Sequence, residues 1–264
     1  MSAWETVDYA TDGAVATISI DRDEVMNAFN RQLRLDLLAA FGKAVDDPEI
    51  RVIVFTGAGR GFSAGADLKD AMSARETGNQ RIEEQLQREY RPVLEIIGRS
   101  EKPVIASING AAAGIGLSFA LMCDLAIMSE KAFLLAPFAS IGLVPDGGAT
   151  WLLAKQIGYK RAFQACVEAE RIPADKCLEW GLVNKVVPAD ELREATAEWA
   201  ASLARRAPLS MAATKRAMRH AMAGSWGSTF DVEASLQDAL ILSDDNTEGV
   251  TAFFEKREPE FKGR

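Results

Sequence analysis

Apolar and polar positions along the chain fall into two periods. Strand-like runs, alternating or continuously apolar, recur at 15–20, 52–56, 104–108, 125–128 and 132–135. Helix-like patterns occupy 30–46, 80–99, 115–122, 148–157 and 160–168. Their alternation predicts an α/β layer architecture. No sequence repeat of fixed period accompanies it. Segment 71–91 is the most polar stretch and reads as an exposed helix. From residue 190 onward the chain reads as helical, with alanine-rich amphipathic runs at 191–206 and 210–223. That tail is too thin to bury its own apolar face.

Two glycine-rich segments interrupt the pattern, and each follows a strand. Gly59-Arg-Gly-Phe-Ser-Ala-Gly-Ala-Asp-Leu-Lys69 comes after the run 51–57, and Asn109-Gly-Ala-Ala-Ala-Gly-Ile-Gly116 comes after 103–108 and leads into a helix. Glycine and alanine bring bare backbone N–H groups close to a ligand. A helix N-terminus adds free N–H groups and the positive end of a dipole. Most such loops are simple turns. Two of them facing one another are, alternatively, a backbone oxyanion hole, in which one donor contributes about 3–4 kcal/mol to a transition state. Neither loop matches a nucleophile elbow or a Walker loop, and Gly114-Ile-Gly116 lacks the third glycine of a dinucleotide loop.

Composition narrows the picture. With 264 residues, 48% of them hydrophobic, the chain can bury one full core plus a C-terminal extension. No apolar run reaches the roughly 18 residues of a membrane span. The start, Met1-Ser-Ala-Trp-Glu-Thr-Val-Asp8, has neither a basic n-region nor an apolar h-region, so a cytoplasmic protein is expected. The net charge of −8 disfavours nucleic acid and anionic membranes as partners. Three cysteines, Cys123, Cys166 and Cys177, form no C-x-x-C and suit buried thiols better than disulfides. A single histidine makes a metal site poorer still, and none is expected.

Gly59–Lys69, Asn109–Asp124 and the C-terminal Phe253-Phe-Glu-Lys-Arg-Glu-Pro-Glu-Phe261 together resemble the crotonase (enoyl-CoA hydratase/isomerase) superfamily. The resemblance runs from Gly13 to the terminus with the motifs in the family's order. It implies a crotonase-like spiral of ββα units over 1–200, followed by a C-terminal helical trimerisation region over 201–264. It also implies an acyl-CoA thioester as substrate, homotrimers or hexamers, and no cofactor, since coenzyme A is part of the substrate. The thioester oxygen would lie between the backbone N–H groups of Ala66 and Ile115. Ile115 stands where the family has glycine, but an N–H survives any substitution except proline. Implied CoA contacts are Ala64, Asp67, Leu68, Lys69, Phe253 and Lys256, the last from a neighbouring subunit. Arg22 is a further candidate cation for the CoA phosphates.

Carboxylates decide the reaction. Hydration needs a base to activate water and an acid to protonate Cα, and the family's hydratases use two glutamates. Here the two positions are Ser118 and Phe138, and neither side chain ionises near neutrality. A carboxylate appears further on, at Asp146 in Val144-Pro-Asp-Gly-Gly148. An Asp before Gly-Gly and a helix is a good N-cap or turn residue. The same segment is similar to the isomerase branch, which includes the 1,2-epoxyphenylacetyl-CoA isomerases, where a single Asp or Glu is the acid/base. One carboxylate is what isomerisation requires, because the same group removes a proton and returns it at another carbon. Phe119, Phe138 and Trp151 are candidate apolar walls of the acyl pocket, which would raise a carboxyl pKa.

Two alternatives remain from the sequence. One is a hydratase-like or non-catalytic acyl-CoA-binding member of the family. The other, aryl dehalogenation, needs a histidine near 91–93, where there is none. His220 lies in the amphipathic tail and reads as a helix-surface or interface residue. The acyl group itself is not encoded in any of these positions.

Overall fold

The computed structural model describes residues 4–67, 69, 72 and 81–264. β1 (Val7–Asp12) and β2 (Val15–Ile20) form an antiparallel hairpin closed by Gly13 at φ 52° and Ala14. Each later strand of this main sheet joins it in parallel after a crossover. α1 (Arg31–Asp46) leads to β3 (Val52–Gly57). The helical stretch α2 then runs through an α segment (Ile82–Gln85), a π segment (Leu86–Tyr90) and a second α segment (Arg91–Arg99). It leads to β4 (Val104–Ile108). β5 (Ala111–Ala113) and α3 (Ile115–Met122) precede β6 (Leu125–Ser129), which returns to pair with β4. Next come β7 (Phe133–Leu135), α4 (Ala149–Glu168), β8 (Ile172–Pro173), α5 (Ala174–Glu179) and β9 (Lys185–Val187). The main sheet has the order β1-β2-β3-β4-β6-β9, and a smaller one the order β5-β7-β8.

β3 and β4 are continuously apolar because they are covered on both faces. Ile53 and Phe55 point into the larger core with Leu33, Leu37 and Phe41 of α1. Val52 and Val54 point the other way, with Ile105 and Ile127, onto Leu192 and Ala200 of α6 (Leu192–Ala204). The two-residue period of a strand thus divides one apolar run between two layers. Asn30 starts α1 by accepting the Leu33 N–H at 2.9 Å.

α4 is interrupted at Gly158, whose φ 76° and ψ 160° are not helical. The sequence pattern had already separated 148–157 from 160–168 at that point. β1, β5, β8 and β9 have no counterpart in the sequence reading. Of the polar 71–91 segment, residues 71 and 73–80 lie outside the described residues.

Beyond α6 the tail folds as α7 (Pro208–Ala221), α8 (Trp226–Leu240) and α9 (Asp244–Glu255). α7 is fastened to the core by charge. The buried Lys215 Nζ lies 2.7 Å from Asp124 Oδ2 and donates to the carbonyls of Ile97 (2.8 Å) and Lys102 (3.1 Å). Arg219 reaches Asp124 Oδ1 at 2.9 Å and the Met122 carbonyl at 2.6 Å. A cavity of about 520 Å³ lies beside this clamp, lined by Leu121, Leu182, Met211 and Met218 among others.

Several large apolar side chains of the tail are exposed. Trp226, stacked on Phe230, is 82% exposed, Phe253 is 78% exposed, and Leu242 and Phe254 are also exposed. Among the described residues no helix is long and apolar enough to cross a membrane. All three cysteines are free and buried.

Candidate active site

The first glycine-rich loop is held from below by side chains and backbone of residues 22–29. Asn27 donates through Nδ2 to the carbonyls of Ala58 (2.8 Å) and Gly61 (2.7 Å). Gly57 must lack a side chain, because a Cβ there would lie 2.3 Å from the Gly61 oxygen. Phe29 brackets Ala66, taking the Asp67 N–H at 3.1 Å and giving its own N–H to Gly65 at 2.7 Å. In a parallel bridge of this kind the bracketed residue turns its own N–H to the other side. The Ala66 N–H donates to no described residue.

The second loop packs on the first. Ser63 and Ala113 exchange backbone bonds across it, Ser63 donating to the Ala111 carbonyl and Ala113 to the Ser63 carbonyl, each at 2.9 Å. A Cβ on Gly65 (φ 101°) would stand 3.0 Å from the Ala113 oxygen and 3.5 Å from Gly114 Cα. Only glycine permits that approach. Gly114, at φ 55°, gives its N–H to the Leu135 carbonyl at 3.0 Å and hands the chain to α3. The N–H of Ile115, first residue of that helix, donates to no described residue. Two abutting loops therefore present the N–H groups of Ala66 and Ile115, which donate to no described residue, the second of them at a helix N-terminus.

Asp146 lies in the turn before α4, and this turn rests on α3. A Cβ on Gly147 (φ 60°) would fall 2.3 Å from Ile115 Cδ1 and 2.9 Å from Ser118 Cβ. Ser118 Oγ donates to the Asp146 carbonyl at 2.8 Å. The Asp146 side chain caps nothing: the N-cap of α4 is Gly148, with no side-chain cap bond, so the capping role open from the sequence is corrected here. Asp146 Oδ1 is buried with no hydrogen-bond partner. Burial pushes the carboxyl up to about 6, with its own backbone pulling weakly the other way. Neither α3 nor residues 137–145 carry an ionisable side chain. Desolvation is therefore the cause that raises the Asp146 pKa, against the smaller opposing pull of its backbone.

The aromatic residues stand differently from the sequence expectation. Phe119 is 0% exposed, its ring centroid 4.7 Å from that of Phe29 and packed near Phe55 and Tyr90, so it builds core rather than a pocket wall. Phe138 is likewise buried in the main core. Trp151, on α4, is 42% exposed. The turn that carries Asp146 is seated on Ile115 and Ser118.

Of the implied CoA contacts, Ala64 is exposed and its N–H bonds to the Met26 carbonyl at 2.9 Å. Asp67 pairs with Arg22 at 3.2 Å and takes the Lys69 N–H at 3.1 Å. Arg22 also donates to the Ala28 carbonyl. This nearly buried arginine is spent on bracing the loop, not held out for a phosphate. Lys69 is exposed, and Leu68 lies outside the described residues. Phe253 and Lys256 belong to the tail, where Phe253 borders a groove with Leu209, Leu240 and Phe261, all C-terminal. Lys256 ends α9 at φ 55°. His220 Nε2 is 3.2 Å from Ser228 Oγ, a helix-to-helix contact.

Sequence reading missed Asn27 as the support of the first loop and treated Ser118 only as a lost carboxylate. A polar residue inside the otherwise apolar stretch 115–122 was the one available signal for Ser118.

The match to the enoyl-CoA hydratase/isomerase family model spans residues 10–264. The chain belongs to that family. It is 40% identical over 262 residues, 99% of this chain and 100% of the other, to a Rhodobacter capsulatus protein named probable enoyl-CoA hydratase. It is 33% identical over 250 residues, 95% of each chain, to 1,2-epoxyphenylacetyl-CoA isomerase of Escherichia coli. Among solved structures, an enoyl-CoA hydratase subunit from Geobacillus kaustophilus superposes with a TM-score of 0.92 at 33% identity, covering all of both chains. The α/β fold with its C-terminal helices is the crotonase fold.

Proposed function

We propose that this enzyme isomerises acyl-CoA thioesters of the enoyl type, shifting a double bond or opening a ring epoxide, with Asp146 as its single acid/base. One observation carries the reading. Beside the Ala66 and Ile115 N–H groups, which donate to no described residue, stands a half-buried carboxyl whose Oδ1 is buried without a hydrogen-bond partner, while the two positions for a hydratase's glutamates hold Ser118 and Phe138. The N–H groups of Ala66 and Ile115 hold the thioester oxygen as negative charge develops on it. For a 3-enoyl thioester, Asp146 removes a proton from C2, the electron pair passes into the thioester as an enolate, and the same carboxyl returns the proton at C4 as the double bond moves to C2–C3. Proton and electron pair both stay within substrate and Asp146, so no cofactor enters.

The relative at 40% identity, named a probable hydratase, favours a second reading: a hydratase with little activity, or an acyl-CoA-binding member. A substrate panel separates them. Purified protein is expected to isomerise one or more 3-enoyl-CoAs or a phenylacetyl-derived epoxide thioester. Crotonyl-CoA hydration is expected to fall about 10²–10⁴-fold below that of ordinary hydratases, the usual cost of a missing acid/base group. Hydration at an ordinary rate sinks the isomerase reading, and tight acyl-CoA binding without any turnover favours the binding member.

The same reading makes 1–200 the acyl-CoA-binding core and 201–264 the assembly region of a cytoplasmic trimer or hexamer. What supports it is the run of exposed apolar side chains on α8, α9 and the turn between them, Trp226, Phe230, Leu242, Phe253 and Phe254. In such an assembly Phe253 and Lys256 reach the CoA of a neighbouring copy. Sedimentation at micromolar concentration is expected to give a trimer or its double. A folded, stable monomer would count against the assembly.

A further inference from the structure

We infer that Ser118 is a positioning residue, which seats the Asp146 turn on the helix whose first N–H faces the thioester. This rests on the reading of Asp146 as acid/base.

A carboxylate without a side-chain partner cannot be aimed by its own hydrogen bonds. Asp146 Oδ1 has none, so the orientation of the group has to come from its backbone. That backbone is held by two donors to one carbonyl: the Ala149 N–H at 3.0 Å, within the turn, and Ser118 Oγ at 2.8 Å, from another element. A serine inside a helix usually turns its hydroxyl to a carbonyl of the preceding turn. Ser118 instead spans 28 residues to reach Asp146, and it is 0% exposed.

The fit is close on the carbon side as well. Gly147 leaves no room for a Cβ against Ile115 Cδ1 or Ser118 Cβ, so the turn lies flush on the first turns of α3. Ile115 contributes its side chain to this seat and its N–H to the oxyanion site. Acid/base and anion donor thus sit on one body, with the Ser118 hydroxyl as the polar link between them.

Groups that could otherwise tune Asp146 are few. α3 has no ionisable side chain, residues 137–145 have none, and the first on α4 is the exposed Lys155, nine residues on. If the turn loosens, water reaches the carboxyl, and its titration moves toward an ordinary carboxylate. A serine that merely stabilised the fold would produce no such movement.

The test compares wild type with Ser118→Ala, which removes the hydroxyl without adding volume. Two readouts are needed: kcat and KM for isomerisation as a function of pH, and the titration of the Asp146 carboxyl by carbon-13 NMR. The NMR signal is assigned by its absence in Asp146→Asn. For Ser118→Ala a fall in kcat of roughly 10–100-fold is expected from misplacement, with KM changed less than about twofold. The titration midpoint is expected to drop by about one pH unit or more as the site hydrates. Unchanged kcat and an unchanged midpoint, with or without a lower Tm, overturn the inference and leave Ser118 a structural serine. Turnover surviving in Asp146→Asn is a different result. It sinks the acid/base reading itself, and any positioning role in catalysis with it.

Discussion

Asp146→Asn is expected to lose isomerase turnover by about 10²–10⁴-fold and to become more stable near neutral pH. The loss follows from chemistry, because an amide cannot take a proton from carbon and return it. The gain follows from linkage. Burial raises the folded-state pKa of Asp146 to about 6, above its value in the unfolded chain. Between the two values the folded state holds more protons than the unfolded state, so stability falls as pH rises through that window. Above the folded value the ionised, dry carboxylate costs the fold up to about 3 kcal/mol.

Asparagine carries no such charge, so its advantage appears at pH 7 and vanishes below about pH 4. No cap is lost, since the Asp146 side chain caps nothing. Turnover by the wild type is expected to fall on acidification through about pH 6, where the base becomes protonated. Chemical denaturation at pH 4 and pH 7, with assays on a CoA ester the parent isomerises, checks all of this. Turnover near that of the parent ends the catalytic assignment. Equal stabilities at both pH values would show that Asp146 is solvated after all.

The second large effect concerns the clamp under α7. Asp124→Ala is expected to destabilise the chain by about 3–5 kcal/mol, the cost of leaving a buried cation without its counter-charge. Lys215 would keep the carbonyls of Ile97 and Lys102, and Arg219 the carbonyl and sulfur of Met122. The backbone N–H of Val104, which donates to Asp124 Oδ2 at 2.9 Å, would also lose its acceptor, at the start of β4. Adding Lys215→Met is expected to recover much of the loss, because the stranded charge goes as well. A double-mutant cycle by denaturant titration measures the coupling directly. A loss under about 1 kcal/mol for Asp124→Ala would mean that α7 is held by something other than this ion pair.

How far the fold was legible depended on which forces shape each element. The strands 15–20, 52–56, 104–108 and 125–128 were plain, because burial on one or both faces writes itself into the residue types. Even the break in α4 was visible, since Gly158 interrupts the helical period. β5 was not: Ala111–Ala113 has little strand preference of its own and is extended because β7 pairs with it. β1 escaped for a related reason, being an edge strand with mostly exposed side chains.

At the site, the two glycine loops were readable because glycine is demanded by close backbone approach. The role of Asp146 was not separable from capping, since Asp before Gly-Gly serves either purpose. What separates them is the seat on α3, a contact across 28 residues that no local pattern carries. The pairing of Arg22 with Asp67 is hidden in the same way, across 45 residues. Phe119 misled because an aromatic beside a catalytic segment can face core or ligand, and only packing decides.

α3 has a consequence for ionic strength. It is buried from Ile115 to Leu121 and has no charged side chain along its length. In the proposed reaction the field of its peptide dipoles would therefore reach the thioester oxygen through protein rather than through solution. Screening in the surrounding solution acts over about 8 Å at physiological salt, and it acts on exposed charge. Coenzyme A, a polyanion, approaches a chain of net charge −8, and that long-range repulsion weakens as salt is added. For a CoA ester, salt governs how fast the ligand arrives. In the proposed reaction the enolate, once formed, would be held by dipoles that salt does not reach.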